Sequence, residues 1–290
     1  MSITELRGKA LRVLLLLLAL PLASVAAAED RLDTIRERGE LSVAVYRDFA
    51  PYSYADADGH YVGIDVDLAK ALAQALAVKL DLRPVIAGED SDDDLRVNIW
   101  RGPLINGSPS DLMLHIGLDP EYIKRTDKAE LFGAYQRETV SVIYRKQQIG
   151  TLDTPLKLAG QKVGVEVDSI SDYYMSGAFN GRLRTSAVRL LSVDEAVARY
   201  LKGELDAVMA PRGQLEGALF RAHADAAAVT IGDFVGLFRT QWDVGMAIKA
   251  GNPELKAALQ AALSQLRESG RLREIYASHG VTLQDPLLRP

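Results

Sequence analysis

The sequence predicts an α/β protein made of two lobes. Patterns typical of a strand, a helix and a second strand follow one another twice, in two blocks that no low-complexity linker separates. Cleavage of the leader described below would leave 262 of the 290 residues, more than one compact domain commonly holds. That length suits one large domain or two lobes, and the repeated pattern favours two lobes.

The first 28 residues are predicted to be a secretory signal sequence. Three basic residues precede an apolar run at 13–23, and the small residues after it place cleavage after Ala26 or Ala28. A retained anchor helix is the alternative, although a bilayer span takes about 20 residues. The chain has no cysteine, which excludes a lipid anchor on cysteine, disulfides and cysteine-bound metal clusters. We expect a periplasmic protein without a lipid anchor.

The charge balance gives no sign of a polyanionic partner. Without the leader's three basic residues and one acidic residue, the chain has 31 basic and 38 acidic residues, a net charge of −7. Nucleic-acid binding and attraction to an anionic membrane surface both require an excess of basic residues. We therefore expect neither function.

The first block contains three predicted strands and the helix that connects them. The segment ELSVAVY at 40–46 alternates polar and apolar residues, which predicts a strand. Asp65 or Asp67 is expected to cap the following helix, whose leucines recur at a spacing of four. Residues 80–86 and 112–116 predict two further strands, and the second is apolar enough to be buried on both faces.

The second block repeats the order of the first. Strands are predicted at residues 139–145, 162–167, 188–191 and 205–210. Ser192 opens a helix with glutamate three residues later, the pattern of a capping box.

The C-terminal part predicts one more strand and two helices. The strand covers residues 243–249, and Asn252 is expected to cap the first helix, with proline at its first position. Leucines at 255–266 form an apolar stripe typical of core packing, and a second helix is predicted at 271–278.

Six segments in this order resemble the bacterial extracellular solute-binding proteins of family 3, the amino-acid-receptor type. They are LSVAVYRDFAPYSY, DGHYVGIDVDLAKALA, SDLMLHIGLDPEY, LAGQKVGVEVDS, LKGELDAVMA and VGMAIKAGNPELKAAL. The resemblance covers nearly the whole chain after the leader. It implies a type II periplasmic binding protein, in which two α/β lobes close over a ligand.

The same resemblance implies how the chain divides between the lobes. The first part of lobe 1 would cover residues 29–139, and lobe 2 would cover 140–248. The C-terminal helices, 249–290, would then return to lobe 1. Crossing strands near 140–145 and 244–249 would form the hinge.

Ligands of open α/β sheets bind beyond the carboxyl ends of parallel strands. The turns after Tyr46, Ile116, Val167 and Ala210 are such ends, two from each lobe. If the lobes face each other, these turns converge on one cleft, and hinge closure can enclose a ligand there. On this view, His115 turns out of its strand because the strand ends at the cleft.

In lobe 1, the resemblance implies five ligand-binding residues. Phe49 stands where relatives pack an aromatic ring on the ligand, and Tyr52 is either a second wall residue or part of the core. His115 and Gly117 replace the serine or threonine donors of relatives. Tyr122 stands where relatives place the arginine that grips the ligand carboxylate with a bidentate contact.

In lobe 2, the resemblance implies three more site residues. Asp168 and Ser169 stand where relatives present a glycine followed by threonine or serine, and Asp168 instead suits a helix cap. Arg212 follows the position of the relatives' amine-binding aspartate, so it would hold an anion instead. Three possibilities stay open for the carboxylate-binding role of the arginine that is missing at Tyr122: Arg125 takes it, Arg212 takes it, or no arginine does.

Both poles of the amino-acid clamp are therefore altered. An unpaired buried carboxylate costs about 2–5 kcal/mol of binding free energy. We expect a monomeric receptor that delivers a small polar or anionic solute to an ABC-type permease, without a cofactor.

Three alternatives remain open at this level. A branch of the same family accompanies quinoprotein alcohol dehydrogenases as an accessory factor, and DDDLRVNIWRG at 92–102 is similar to it. A few relatives are dehydratases or transglycosylases, although we assign no catalytic residue. The available acid–base groups are His115, Asp119, Glu121 and Asp168. The acidic loop at 89–94 offers oxygen ligands for calcium but lacks EF-hand spacing, so we assign no metal site.

Overall fold

The computed structural model of the protein describes residues 30–105, 107–224 and 234–288. The predicted signal sequence, residues 1–28, lies outside the described residues. Within the described ranges, the helices are all too short or too polar to cross a membrane.

The first half of the chain alternates strands and short helices. In order, the elements are α1 (Arg31–Arg38), β1 (Glu40–Tyr46), β2 (Tyr54–Ala55), β3 (Tyr61–Val62), α2 (Ile64–Ala75), β4 (Lys79–Val85), α3 (Ser91–Leu95), β5 (Leu112–Leu118), α4 (Pro120–Arg125) and β6 (Ala129–Tyr144).

The second half repeats the alternation and ends in two helices. The elements are α5 (Lys146–Ile149), β7 (Val163–Glu166), α6 (Ile170–Gly181), β8 (Ala187–Leu190), α7 (Val193–Leu201), β9 (Ala207–Pro211), α8 (Arg212–Arg221), β10 (Gln241–Lys249), α9 (Pro253–Glu268) and α10 (Arg271–Ser278). The predicted strands and helices are all present, and the α/β class is confirmed.

Eight strands form one mixed sheet in the order β4-β1-β5-β10-β6-β9-β7-β8. Strands β4, β1 and β5 are parallel, as are β8, β7 and β9, whereas β10 and β6 pair in antiparallel fashion. Strand β6 belongs to both halves: its residues 129–139 pair with β10, and its residues 140–144 pair with β9. We call the strands on the β4 side the first strand group and those on the β8 side the second strand group.

Each strand group has its own apolar core. The first group packs against α2, and the C-terminal helices add residues such as Leu259 and Tyr276 to that core. The second group is covered on two faces by clusters that include Tyr174 and Leu215. Two cores joined through a long strand suit two lobes, while the division at residues 139/140 and 248/249 stays a prediction.

Strand β5 does not end at Ile116 as predicted, because β10 supplies an antiparallel partner as far as Leu118. The pairing shifts register between Met113 and Ile116, and His115 has a left-handed backbone with φ of 63°. A positive φ inside a strand is typical of a β-bulge, which redirects a side chain. His115 therefore leaves the ladder at a bulge and not at the end of the strand.

Two predicted helix caps are wrong in detail. Helix α2 starts after Gly63, which has no side chain to cap it, and Asp65 and Asp67 lie inside the helix. The carbonyls of Pro51 and Tyr52 accept from its first N–H groups. The side chain of Asn252 does not cap α9 either. The carboxylate of Asp30 accepts hydrogen bonds from the N–H groups of Leu32 in α1 and of Glu254 in α9, so it serves both helices.

Asp111 is a buried carboxylate that binds residues of β1 and α1. Its carboxylate accepts hydrogen bonds from the N–H and hydroxyl of Ser42 at 2.8 and 2.7 Å and from Arg31 at 2.7 Å, and it also pairs with Arg38. Burial raises the pKa of Asp111, but the hydrogen bonds from Ser42 and Arg31 outweigh burial and hold the pKa below its ordinary value.

We expect Asp111→Asn to lower the free energy of unfolding by about 1–3 kcal/mol at pH 7. A lowered folded-state pKa stabilises the fold fully above the ordinary aspartate pKa of about 4 and loses this effect as the pH falls through the lowered value. Urea unfolding at pH 7 and pH 3 should therefore show a smaller difference between the variant and the wild type at pH 3. Asp33→Asn, at an exposed position, is the control, and a difference independent of pH would contradict the account.

Candidate functional site

A cavity of about 440 Å³ lies where strands β1 and β4 end. It is lined by Tyr46, Arg47, Asp48, Phe49, Val85, Ile86, Ala87 and His115. Other hollows of similar volume exist in the described chain, but this one stands at the carboxyl ends of parallel strands, where α/β sheets bind ligands. We call it the strand-end pocket.

Phe49 and His115 meet in this pocket, while the ligand-binding role expected of each stays a prediction. Their rings lie 4.7 Å apart in an edge-to-face arrangement, and Tyr46 meets Phe49 at 6.0 Å, also edge-to-face. Ile86 follows the last residue of β4 and is 68% exposed, so it adds an apolar surface beside the rings. The pocket thus combines an aromatic wall with one imidazole.

The backbone and ring of His115 are both held in place. Its N–H donates to the hydroxyl of Tyr135 at 2.9 Å, and its Nδ1 lies 2.9 Å from a carboxylate oxygen of Asp65. The Tyr135 hydroxyl donates to the other oxygen of Asp65 at 3.1 Å. Since the side chain of His115 is only 8% exposed, this network fixes the ring orientation.

Tyr52 belongs mainly to the core, one of the two roles predicted for it. It is 1% exposed and its ring lies 4.1 Å from that of His115. Its hydroxyl donates to Glu138 at 2.5 Å and accepts from the Gln136 amide at 2.7 Å. Burial, reinforced by Glu138, raises the pKa of Tyr52, which therefore stays protonated.

Glu138 connects the two strand groups. It lies in β6, is 2% exposed, and accepts hydrogen bonds from Tyr52 in the first group and from the N–H of Gly213 at the start of α8. The N–H of Thr139 donates to it at 2.8 Å. Gly213 must lack a side chain, because a Cβ there would overlap the hydroxyl of Tyr52. This buried carboxylate therefore joins both halves where the sheet crosses between them.

Tyr122 lies on α4 and does not line the strand-end pocket. Burial and the neighbouring Asp92 raise its pKa. Arg125 stacks over the Tyr122 ring at 4.7 Å and pairs with Asp92 at 3.0 Å, so its guanidinium is directed at that carboxylate. Gly117 is exposed on β5 opposite Val244, two residues beyond His115.

Asp168 and Ser169 follow β7 at the carboxyl end of the second group. Ser169 caps α6, since its hydroxyl accepts from the N–H of Asp172 at 3.2 Å, so the cap expected at Asp168 was misplaced by one residue. Asp168 is exposed and has a left-handed backbone. Neither residue lines the strand-end pocket.

Arg212 is 5% exposed and its guanidinium has internal partners. It pairs with Glu216 on the same helix and donates to the carbonyl of Thr282 at 2.6 Å. It does not line the strand-end pocket either, and its role as an anion ligand stays a prediction.

Two further polar groups have partners inside the protein. His279 lies 2.9 Å from Asp67 and is partly buried. In the acidic loop, Asp94 is 5% exposed and accepts from the hydroxyl of Tyr46 at 2.6 Å, and burial raises its pKa. The loop thus contacts the strand-end pocket through Tyr46.

The described residues contain one group of three ligand-type side chains close enough to share a metal ion. Asp56, Asp58 and His60 form it in an exposed turn. The Asp56 carboxylate already accepts from the backbone N–H groups of Asp58 and His60, which is an ordinary turn contact.

Comparison with known proteins finds similarity to solute-binding proteins and, over a short segment, to an enzyme. The family model of the bacterial extracellular solute-binding proteins, family 3, matches residues 41–90. The L-cystine-binding protein TcyJ of Escherichia coli (strain K12) is 24% identical over 253 residues, 86% of this chain and 85% of its own length. The cyclohexadienyl dehydratase of Pseudomonas aeruginosa is 48% identical, but over only 62 residues, 21% of this chain and 23% of the dehydratase.

Solved structures share the fold. An ancestral cationic amino acid solute binding protein has a TM-score of 0.68 at 24% identity, covering 86% of this chain and 99% of that one. The amino acid ABC transporter substrate-binding protein AbpA from Streptococcus pneumoniae, bound to L-arginine, has a TM-score of 0.60 at 25% identity. The match to AbpA covers 85% of this chain and 97% of that one.

Proposed function

We propose that the chain is a member of the bacterial extracellular solute-binding proteins of family 3, and that it captures a small polar or anionic solute between its two lobes and delivers it to an ABC-type permease. The observation that carries the proposal is the strand-end pocket, where Phe49 and His115 meet beyond the carboxyl ends of β1 and β4. A pocket of this size suits a small molecule.

The solute class follows from what the pocket contains. TcyJ is named as an L-cystine-binding protein and the structure of AbpA contains bound L-arginine, so an amino acid is the natural starting point. Here, however, Tyr122 stands in place of the carboxylate-binding arginine, and the nearby cation Arg125 pairs with Asp92. We therefore infer that the solute is not a standard α-amino acid and that His115 provides its main polar contact.

Location and partner are part of the same proposal. A periplasmic receptor acts as a monomer that presents its closed form to a membrane permease, and the leader at residues 1–28 would export it. The quinoprotein-accessory interpretation has no support among the relatives described above, and we do not carry it further.

A dehydratase is the second candidate function, because 62 residues are 48% identical to the Pseudomonas enzyme and His115 adjoins a carboxylate. We infer a binding protein, since nearly full-length likeness is to binding proteins. Dehydration of a cyclohexadienyl acid creates an aromatic ring, which absorbance reports directly. We expect no absorbance change when a cyclohexadienyl acid is added to the protein. Turnover by the wild type that Asp65→Asn or His115→Ala abolishes would instead establish an enzyme.

A thermal-shift screen tests the receptor function. Amino acids, dicarboxylates, aromatic acids and metal ions are added in turn, since a ligand that binds only the folded state raises its stability in proportion to RT ln(1 + [L]/Kd). We expect anionic or oxygen-rich compounds to raise the Tm and His115→Ala to remove the effect. Micromolar binding of a common amino acid that is insensitive to His115→Ala would contradict the proposal.

A further inference from the structure

Asp65 is a buried carboxylate with a single partner that can carry positive charge. It lies in the first turn of α2, is 1% exposed, and contacts the Nδ1 of His115 and the hydroxyl of Tyr135. No lysine or arginine within the described ranges forms an ion pair with it. Burial and the charge of Asp65 raise the pKa of Tyr135, so that tyrosine remains a neutral donor.

An isolated buried carboxylate is strongly disfavoured unless a neighbouring charge compensates it. His115 is the partner in position to do so, because its Nδ1 lies 2.9 Å from the Asp65 oxygen. Protonation of both ring nitrogens would make the pair neutral overall and would turn Nε2 into a charged hydrogen-bond donor.

The ring has only one nitrogen left for a ligand. Nδ1 faces Asp65, and no described residue forms a hydrogen bond with Nε2. The Phe49 and Tyr52 rings pack against the imidazole at 4.7 and 4.1 Å, and His115 lines the strand-end pocket. Nε2 is therefore the atom that a bound molecule can reach.

Other groups around the imidazole carry little competing charge. Tyr135 from β6 and Tyr52 from the turn after β1 face it with phenol groups, and Tyr46 lines the same pocket. Arg47 and Asp48 also line the pocket, but they are exposed and pair with each other at 2.8 Å. Asp65 is thus the charged group in direct contact with His115.

We propose that Asp65 is a positioning residue that holds His115 as an imidazolium with Nε2–H directed into the strand-end pocket, where it binds the carboxylate of an aromatic or bulky aliphatic acid. This inference rests on the proposed function and names its solute class. Tyr46, Phe49 and Ile86 supply the apolar wall for the body of such an acid. His115 then takes the role that the missing arginine plays in relatives.

The first test is ¹⁵N NMR of the full chain labelled at histidine, without any ligand. The chain has 4 histidines, and His115→Gln identifies the signals of His115. We expect both ring nitrogens to be protonated at pH 6, and Asp65→Asn to shift His115 towards the neutral ring. A neutral His115 in the wild type at pH 6 would overturn the proposal, whether or not the protein is a receptor.

The second test uses benzoate as the probe and benzamide as its uncharged, isosteric control. We expect benzoate to bind at least tenfold more tightly at pH 6 than at pH 8.5, because only the doubly protonated ring offers the positive charge that a carboxylate pairs with. Benzamide should show no such dependence, and Asp65→Asn should weaken benzoate binding at pH 6 about tenfold. Should Asp65→Asn fail to fold, the wild-type pH profile and His115→Gln provide the same comparison.

Benzoate affinity that is equal at both pH values, or equal in wild type and Asp65→Asn, would overturn the inference. The two proposals fail separately. An imidazolium at His115 that binds benzoate without closure of the lobes in solution scattering would contradict the receptor function and leave the Asp65–His115 pair intact. Solute capture that does not involve His115 would contradict the inference about the Asp65–His115 pair and leave the receptor function intact.

Discussion

Replacing Glu138 with leucine is expected to destabilise the protein by about 3–5 kcal/mol, the cost of removing one partner from a buried charged network. The substitution leaves three donors without the acceptor they have in Glu138: the Tyr52 hydroxyl and the N–H groups of Thr139 and Gly213. The Gln136 amide loses its bond to Glu138 but keeps the Tyr52 hydroxyl as an acceptor. Each unsatisfied buried donor is costly. Tyr52 lies in the core of the first strand group, whereas Gly213 lies in α8. Urea unfolding with circular dichroism measures the change.

Two further substitutions separate the contributions. Glu138→Gln keeps an acceptor oxygen and should cost less than leucine, and Tyr52→Phe removes only one of the three donors. Glu121→Ala, at an exposed glutamate, should change little. Equal stability of the leucine variant and the wild type would show that Glu138 does not hold the crossing together.

Phe49→Ala is expected to reduce affinity for the compound identified by the thermal-shift screen by about ten- to a hundredfold, since aromatic anchors dominate small binding sites. The Phe49 ring forms the wall of the strand-end pocket beside His115 and Tyr46. Calorimetric titration measures the affinity. Phe49→Leu retains much of the packing and should lose less.

Phe238→Ala is the matched control, because this phenylalanine is 95% exposed. It should leave the affinity unchanged. If Phe49→Ala binds the compound as tightly as the wild type does, the ligand lies outside the strand-end pocket.

The alternation of strands and helices was predictable because each element carries a local signal. The parallel strands are short segments of alternating or continuous apolar residues bounded by turn residues, as in ELSVAVY at 40–46. The far end of β5 was not predictable, because Leu118 pairs with Asp243, 125 positions later in the numbering. The capping role of Asp30 in α9 also depends on a contact across more than 200 residues.

The sequence indicated some residues of the candidate site and gave no sign of others. Phe49 was assigned from the resemblance to relatives, and His115 from a predicted strand end that the structure replaces with a bulge inside β5. Their ligand-binding roles stay predictions. Asp65 and Glu138 were missed as site residues because a carboxylate in a helix or strand pattern gives no sign of burial. Their partners are 50 and 86 positions away, so only the folded chain brings them together.

Hydrogen–deuterium exchange with and without the screened compound tests the two-lobe account most directly. Closure over a ligand predicts slower exchange at residues 46–49 and 113–118 of the first strand group and, in the same experiment, at 166–170 of the second. Protection confined to one strand group, or to surfaces away from these strand ends, would contradict the account.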